Sequence, residues 1–118
     1  MIESLVCFYP CKDIEETTLF YTNILGLKLY QDQGKAKILD TGYGYLGFCQ
    51  YDDPTLAYPT CISFNLKDIK NVDVMYEHLK ELNVKILAKP KKHPQFEVYS
   101  FFIEDPNGYK IEFQKILE

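Results

Sequence analysis

The sequence predicts an α+β protein in which tandem β-α-β-β-β units form a cupped mixed sheet with the helices on its convex face. Each half of the chain contains a capped amphipathic helix after a short strand, and similar segments recur in the same order. The chain also ends in a β-hairpin pattern. Its 118 residues suit one compact domain. We therefore expect a single domain, 1–118, with a first module at about 1–53 and a second at about 58–118.

The first module begins with a predicted strand at residues 4–11. Asp13 can cap the following helix, and Glu16 three residues later completes a capping-box pattern. Apolar residues then recur at helical spacing as far as Gly26, which favours helix termination. Three further strands are predicted at residues 27–30, 35–40 and 43–51.

A connector with two prolines, residues 52–59, separates the modules because two prolines cannot both lie within a sheet ladder. Residues 60–67 alternate in character, so Cys61, Ser63 and Asn65 share the side of the strand opposite the apolar residues. Asp68 caps the second helix, and Asn83 ends it. A strand at 84–89, a loop at 90–95 and strands at 97–104 and 109–116 follow.

The closing hairpin is predicted from Asp105-Pro106-Asn107-Gly108, which has type I turn preferences. If these four residues form the loop, Phe101 lies opposite Glu112, and both point away from the helix. Matching Gly44-Tyr45 to Gly108-Tyr109 makes Phe48 the first-module counterpart of Glu112. An aromatic cup with a few polar groups is typical of a small-molecule pocket. We expect Glu112 to be the candidate catalytic residue and the ligand-binding residues to be Phe48, Cys61, Ser63, Asn65, Tyr99, Phe101, Lys110 and Gln114.

Composition narrows the possible partners. The net charge of −4 argues against a nucleic-acid partner, which favours a basic protein surface. No apolar run has the length of a membrane span, and no signal-peptide pattern is present, so we expect a cytoplasmic protein. In that compartment the four cysteines are expected to be reduced thiols.

Two stretches resemble a known family. Residues 20–27, Phe-Tyr-Thr-Asn-Ile-Leu-Gly-Leu, and residues 105–112, Asp-Pro-Asn-Gly-Tyr-Lys-Ile-Glu, are similar to the signature stretches of the vicinal oxygen chelate superfamily. That superfamily includes glyoxalase I, bleomycin-binding resistance proteins, fosfomycin-modifying enzymes and extradiol dioxygenases. The resemblance covers essentially the whole chain. It implies a homodimer and leaves open whether the modules pair within one chain or are exchanged between chains.

The resemblance also implies where a metal would bind. In metal-dependent members the ligands come from the first and last strands of each half, which here correspond to Val6, Phe48, Cys61 and Glu112. Val6 and Phe48 have no ligand atom, and a catalytic divalent cation usually has three or more protein ligands. We therefore predict no metal and no cofactor.

Two functional hypotheses follow. The first is a metal-free protein that binds or sequesters an aromatic or drug-like small molecule, similar to the bleomycin-resistance proteins. The alternative is a glyoxalase-like lyase or isomerase, or a dioxygenase, with an atypical site that uses Glu112. In such an enzyme either Glu112 acts as the base, or a metal site is completed by His93 or by a partner chain.

Overall fold

The computed structural model describes residues 1–118, which form two compact units, Met1–Tyr58 and Pro59–Glu118. Each unit contains a four-stranded mixed sheet and helical segments in the order β-α-β-β-β. The predicted α+β class is therefore confirmed. None of the helices has the length and apolar character needed to span a membrane.

The first unit has the sheet order β1-β4-β3-β2, in which β1 and β4 are parallel and the other pairs are antiparallel. Its elements are β1 (Val6–Pro10), α1 (Ile14–Leu19), β2 (Lys28–Asp32), β3 (Ala36–Asp40) and β4 (Tyr45–Cys49). A π-helical turn, Phe20–Ile24, continues α1 where the sequence predicted an uninterrupted α-helix.

The start of α1 is held by two side chains. Asp13 Oδ1 accepts a hydrogen bond of 3.0 Å from the Glu16 amide, as the capping pattern predicts. Gln50 Oε1 accepts one of 2.8 Å from the Ile14 amide, which joins the helix to the end of β4. Tyr21 then packs on Phe48 of the sheet, with ring centroids 4.8 Å apart. The core of this unit therefore lies between the helical segment and the sheet.

The second unit repeats this arrangement with the order β5-β8-β7-β6, in which β5 and β8 are parallel. Its elements are β5 (Cys61–Asn65), α2 (Ile69–Lys80), β6 (Lys85–Lys92), β7 (Val98–Glu104) and β8 (Lys110–Ile116). Asp68 caps α2 by accepting from the Asn71 amide at 2.8 Å. Asn83 follows the helix with a left-handed φ of 57°, which agrees with its predicted role as the stop.

The strand β6 extends further than predicted. Residues 90–95 were expected to form a loop, but Pro90 lies within β6, which continues to Lys92. Pro90 is tolerated because β6 is an edge strand that pairs only with β7, and the register shifts between Ala88 and Lys91. Pro90 has no backbone N–H group, but this removes no hydrogen bond to a second neighbouring strand.

The predicted register of the closing hairpin was wrong by one residue. Gly108 has a φ of 86°, its amide donates to the Asp105 carbonyl at 3.0 Å, and the Asp105 amide donates to the Tyr109 carbonyl at 2.9 Å. Five residues, 105–109, therefore lie between the paired Glu104 and Lys110, one more than in the predicted four-residue loop, and a bulge at Gly108 accommodates the extra residue. As a result, Phe102 rather than Phe101 lies opposite Glu112.

The corresponding hairpin of the first unit has a shorter loop, because the Thr41 amide donates to the Gly44 carbonyl at 3.0 Å and Asp40 pairs with Tyr45. Phe8 pairs with Gly47 across β1 and β4, as Ser63 pairs with Glu112 across β5 and β8. The counterpart of Glu112 is therefore Gly47, and the predicted match to Phe48 was wrong. The prediction that both sheets line one cup stays a prediction.

Candidate functional site

The candidate site is the face of the second sheet that points away from α2, which we call the open face. Alternation along β5 and β8 brings six predicted site residues to this face: Cys61, Ser63, Asn65, Lys110, Glu112 and Gln114. Ser100, Phe102 and Glu104 of β7 share it, because they pair with Gln114, Glu112 and Lys110. The opposite face carries the buried apolar residues of β7 and β8.

Glu112 lies at the middle of the open face and is only 8% exposed. Its Oε1 atom accepts a hydrogen bond of 2.7 Å from the Ser63 hydroxyl. The Cys61 sulfur is 3.7 Å from the same Ser63 oxygen. The Ser63 hydroxyl therefore orients the carboxylate and lies between it and the thiol.

Two further contacts flank this carboxylate. The Gln114 amide nitrogen donates to Asn65 Oδ1 at 2.9 Å, which links β8 to β5 on the open face. The Lys110 ammonium lies 4.7 Å from the centroid of the Phe102 ring, a cation–π contact. The predicted register, with Phe101 opposite Glu112, would place the neighbouring residue Phe102 on the helix side, and the observed register places it on the open face instead.

Three predicted ligand-binding residues lie on the helix-facing sides of the sheets instead, which corrects the predicted orientation of Phe48, Tyr99 and Phe101. Phe48 and Phe101 are fully buried in their cores, and Phe101 contacts Tyr76 of α2 at a centroid distance of 5.4 Å. The Tyr99 hydroxyl donates to Asp73 of α2 at 2.6 Å. This hydrogen bond to a carboxylate raises the pKa of Tyr99, because ionised tyrosine loses it.

The equivalent face of the first sheet has aromatic residues around the position that corresponds to Glu112. Phe8 lies over Gly47 so closely that a Cβ atom there would be 2.4 Å from two carbons of the ring, and Phe8 remains 46% exposed. Beside them Tyr30 and Tyr45 pack with ring centroids 4.5 Å apart. Burial, and then the neighbouring Tyr30, raise the pKa of Tyr45. The counterpart of the Ser63 and Glu112 pair is therefore an aromatic ring on a glycine.

The residues at the family's metal-ligand positions do not fit a catalytic divalent cation. With Gly47 in place of Phe48, those positions are Val6, Gly47, Cys61 and Glu112, and only the last two have ligand atoms. No three His, Cys, Asp or Glu side chains are grouped so as to hold a metal in residues 1–118. The Nδ1 atom of His93 accepts hydrogen bonds from the amides of residues 95 and 96, at 3.0 and 3.2 Å.

Comparison with known proteins identifies the family. The family profile described as Glyoxalase/Bleomycin resistance protein/Dioxygenase superfamily matches residues 4–113. A lactoylglutathione lyase of Neisseria meningitidis is 32% identical, over 86% of this chain and 81% of that protein. The metallothiol transferase FosB of Lysinibacillus sphaericus is 27% identical, over 89% of this chain and 76% of that protein.

A solved structure supports the same fold. The crystal structure of a glyoxalase/bleomycin resistance protein/dioxygenase from Nocardioides superposes with a TM-score of 0.82 at 16% identity, covering 100% of this chain and 85% of that one. The resemblance to the vicinal oxygen chelate superfamily is confirmed. The chain belongs to the Glyoxalase/Bleomycin resistance protein/Dioxygenase superfamily.

Proposed function

We propose that this protein binds a small organic molecule on the open face without a metal ion, and sequesters it without transforming it. The observation that carries this proposal is the buried Glu112 carboxylate, which is oriented by Ser63 and surrounded by groups suited to binding. Phe102 provides an apolar surface, and the amide side chains of Asn65 and Gln114 can hydrogen-bond to polar groups.

The chemistry of the open face favours binding over catalysis. Cys61 has no histidine in contact that would activate its thiol, because its sulfur contacts the neutral Ser63 hydroxyl, and Lys110, its partner across β5 and β8, has its ammonium on the Phe102 ring. Glu112 could accept a proton from a ligand, but no group of metal-ligating residues stands beside it to stabilise the charge that would develop. The residues present can therefore orient a ligand more readily than react with it.

A second candidate is a metal-dependent lyase or isomerase, or a dioxygenase, in which Glu112 acts as a base. The specific support is the 32% identity with the lactoylglutathione lyase of Neisseria meningitidis. In this case the metal sphere would need ligands beyond Cys61 and Glu112, either from His93 through its Nε2 atom or from a partner chain.

Metal analysis and ligand titration distinguish the two candidates. Protein purified without chelator is analysed for Ni, Zn and Fe, and then titrated with the aromatic fluorophore 1-anilinonaphthalene-8-sulfonate. We expect no stoichiometric metal and saturable fluorophore binding. Ser63→Phe would obstruct the open face and weaken this binding, whereas the matched control Ser4→Phe, on the exposed N-terminal segment, would not. If the purified protein instead contains stoichiometric metal, and Glu112→Gln loses that metal, the result would support the second candidate, a metal-dependent enzyme.

We also propose that the protein forms a homodimer in the cytoplasm, on the strength of its family membership. Light scattering coupled to size-exclusion chromatography tests the dimer, because the measured mass is either that of one chain or that of two. A single-chain mass at micromolar protein concentration contradicts it.

A further inference from the structure

Glu112 is a buried carboxylate with no counter-ion. It is more than nine-tenths buried, and its only hydrogen-bond partner in the chain is the neutral Ser63 hydroxyl. None of the ion pairs in the structure includes Glu112. An ionised carboxylate removed from water is normally paired with a cation or accepts several hydrogen bonds. Glu112 therefore has unused capacity to accept hydrogen bonds from a positive group.

Lys110 has the complementary property. It lies two residues from Glu112 on the same face of β8, about 7 Å along the strand. Its ammonium contacts the Phe102 ring at 4.7 Å and takes part in no ion pair. The other lysine at this end of the sheet, Lys85, differs because it pairs with Glu104 at 3.0 Å. Glu104 lies directly opposite Lys110 across β7 and β8, but its carboxylate pairs with Lys85, so the Lys110 ammonium has no ion-pair partner and can bind an anion.

These two unpaired charges flank one apolar surface. Phe102 lies directly opposite Glu112 in the hairpin, and its ring carries the Lys110 ammonium. A cationic ligand would neutralise Glu112 but meet repulsion from Lys110, and an anionic ligand would meet the reverse. A molecule with one positive and one negative group satisfies both, because hydrogen bonds at each end can span the separation of about 7 Å.

We propose that the ligand of the open face is a zwitterion, with an ammonium group bound to Glu112 and Ser63, a carboxylate bound to Lys110, and an apolar part on Phe102. This inference rests on the proposed function, since it names the class of ligand for the same face. It assigns Lys110 and Glu112 as the pair that determines specificity.

Three probes with the same phenyl ring and chain test the inference: phenylalanine carries both charges, phenethylamine only the positive one, and 3-phenylpropionate only the negative one. Dissociation constants are measured by amide chemical-shift titration of the isotope-labelled full chain. We expect phenylalanine to bind about tenfold more tightly than either analogue, because each hydrogen-bonded charge pair contributes enough for that ratio. Shift changes are expected on β5 and β8.

Substitutions assign each charge to its partner. Glu112→Gln keeps the shape of the side chain and removes its charge. Phenylalanine should then no longer bind about tenfold more tightly than 3-phenylpropionate. In Lys110→Met, phenylalanine should no longer bind more tightly than phenethylamine. The matched control Lys80→Met removes a lysine of α2 that is already paired with Glu77, away from the open face, and it should change none of the three constants by more than about twofold.

The outcomes separate this inference from the proposed function. Equal affinities for phenylalanine and phenethylamine, or no effect of Lys110→Met, would overturn the proposal of a zwitterionic ligand. The proposed binding function would still stand in that case if the fluorophore binds and Ser63→Phe weakens its binding. If neither the fluorophore nor any phenyl probe binds, both proposals fall together. Stoichiometric metal that depends on Glu112 would overturn both, since a cation would then be the partner of that carboxylate.

Discussion

The close approach of Phe8 to Gly47 predicts a strong coupling between these two positions. In Gly47→Ala the new Cβ atom would lie 2.4 Å from two ring carbons of Phe8. Ordinary carbon contacts begin at about 3.5 Å, so the ring must move by roughly 1 Å or rotate into solvent. Neither the backbone conformation of Gly47 nor its place in β4 requires glycine otherwise.

The magnitude follows from what the ring loses. Overpacking of this kind costs about 1–3 kcal/mol. Rotation into solvent costs about 1 kcal/mol, because Phe8 is already 46% exposed and so forfeits roughly half of a full phenylalanine burial. Replacing glycine by alanine in a strand returns about 0.5–1 kcal/mol. The net destabilisation by Gly47→Ala should therefore be about 0–2.5 kcal/mol.

A double-mutant cycle measures this coupling through urea unfolding followed by circular dichroism. With Phe8→Ala already present, Gly47→Ala should become neutral or stabilising, which gives a coupling free energy of about 1–3 kcal/mol. Gly44→Ala is the matched control, because its nearest neighbour would be a backbone oxygen at an ordinary 3.7 Å. Equal effects of Gly47→Ala with and without Phe8→Ala would refute the reasoning.

Three further predictions concern stability. Tyr99→Phe should cost about 1 kcal/mol through the lost bond to Asp73. Because the pKa of Tyr99 is raised above the unfolded value, this contribution is complete below about pH 10 and disappears as the pH rises through the folded pKa. Urea unfolding of the wild type and Tyr99→Phe at pH 7 and 11 tests this, with the exposed Tyr43→Phe as control. A difference in unfolding free energy between wild type and Tyr99→Phe that is the same at both pH values contradicts it. Asp105→Ala should cost about 2–4 kcal/mol, because its buried carboxylate accepts two backbone amides at 2.8 and 2.9 Å; a loss under 1 kcal/mol in urea unfolding would argue against this role. Asn83→Ala should cost about 1 kcal/mol through its left-handed backbone, whereas Asn83→Gly should be nearly neutral in thermal unfolding; equal losses would show that the backbone conformation is not the cause.

Much of the candidate site was predictable from local pattern. Alternation along a single strand places Cys61, Ser63 and Asn65 on one side, and the structure agrees. The spacing of Lys110 and Glu112 follows from the same rule of period two. Neither prediction depends on which strands are neighbours in the sheet, so an error in strand pairing does not affect them.

The errors in the candidate site have one cause, which is hairpin register. A shift of one residue moves every side chain of a strand to the other face of the sheet relative to its neighbour. The turn preferences of Asp105-Pro106-Asn107-Gly108 are compatible with two loop lengths, and only the positive φ of Gly108 selects the longer one. The same extra residue is missing from the first hairpin, so the counterpart of Glu112 also moved by one position.

The sequence by itself determined the α+β class, the tandem order of the elements, the helix caps and the family. These depend on spacing, capping and turn residues, whose effects extend over only a few positions along the chain. Tertiary structure decided which residues face each other: Phe102 opposite Glu112, Ser63 bonded to that carboxylate, and Phe8 on Gly47. Two of these pairs, Ser63 with Glu112 and Phe8 with Gly47, join strands far apart in the sequence, and the third depends on the conformation of Gly108, which local preferences leave undecided.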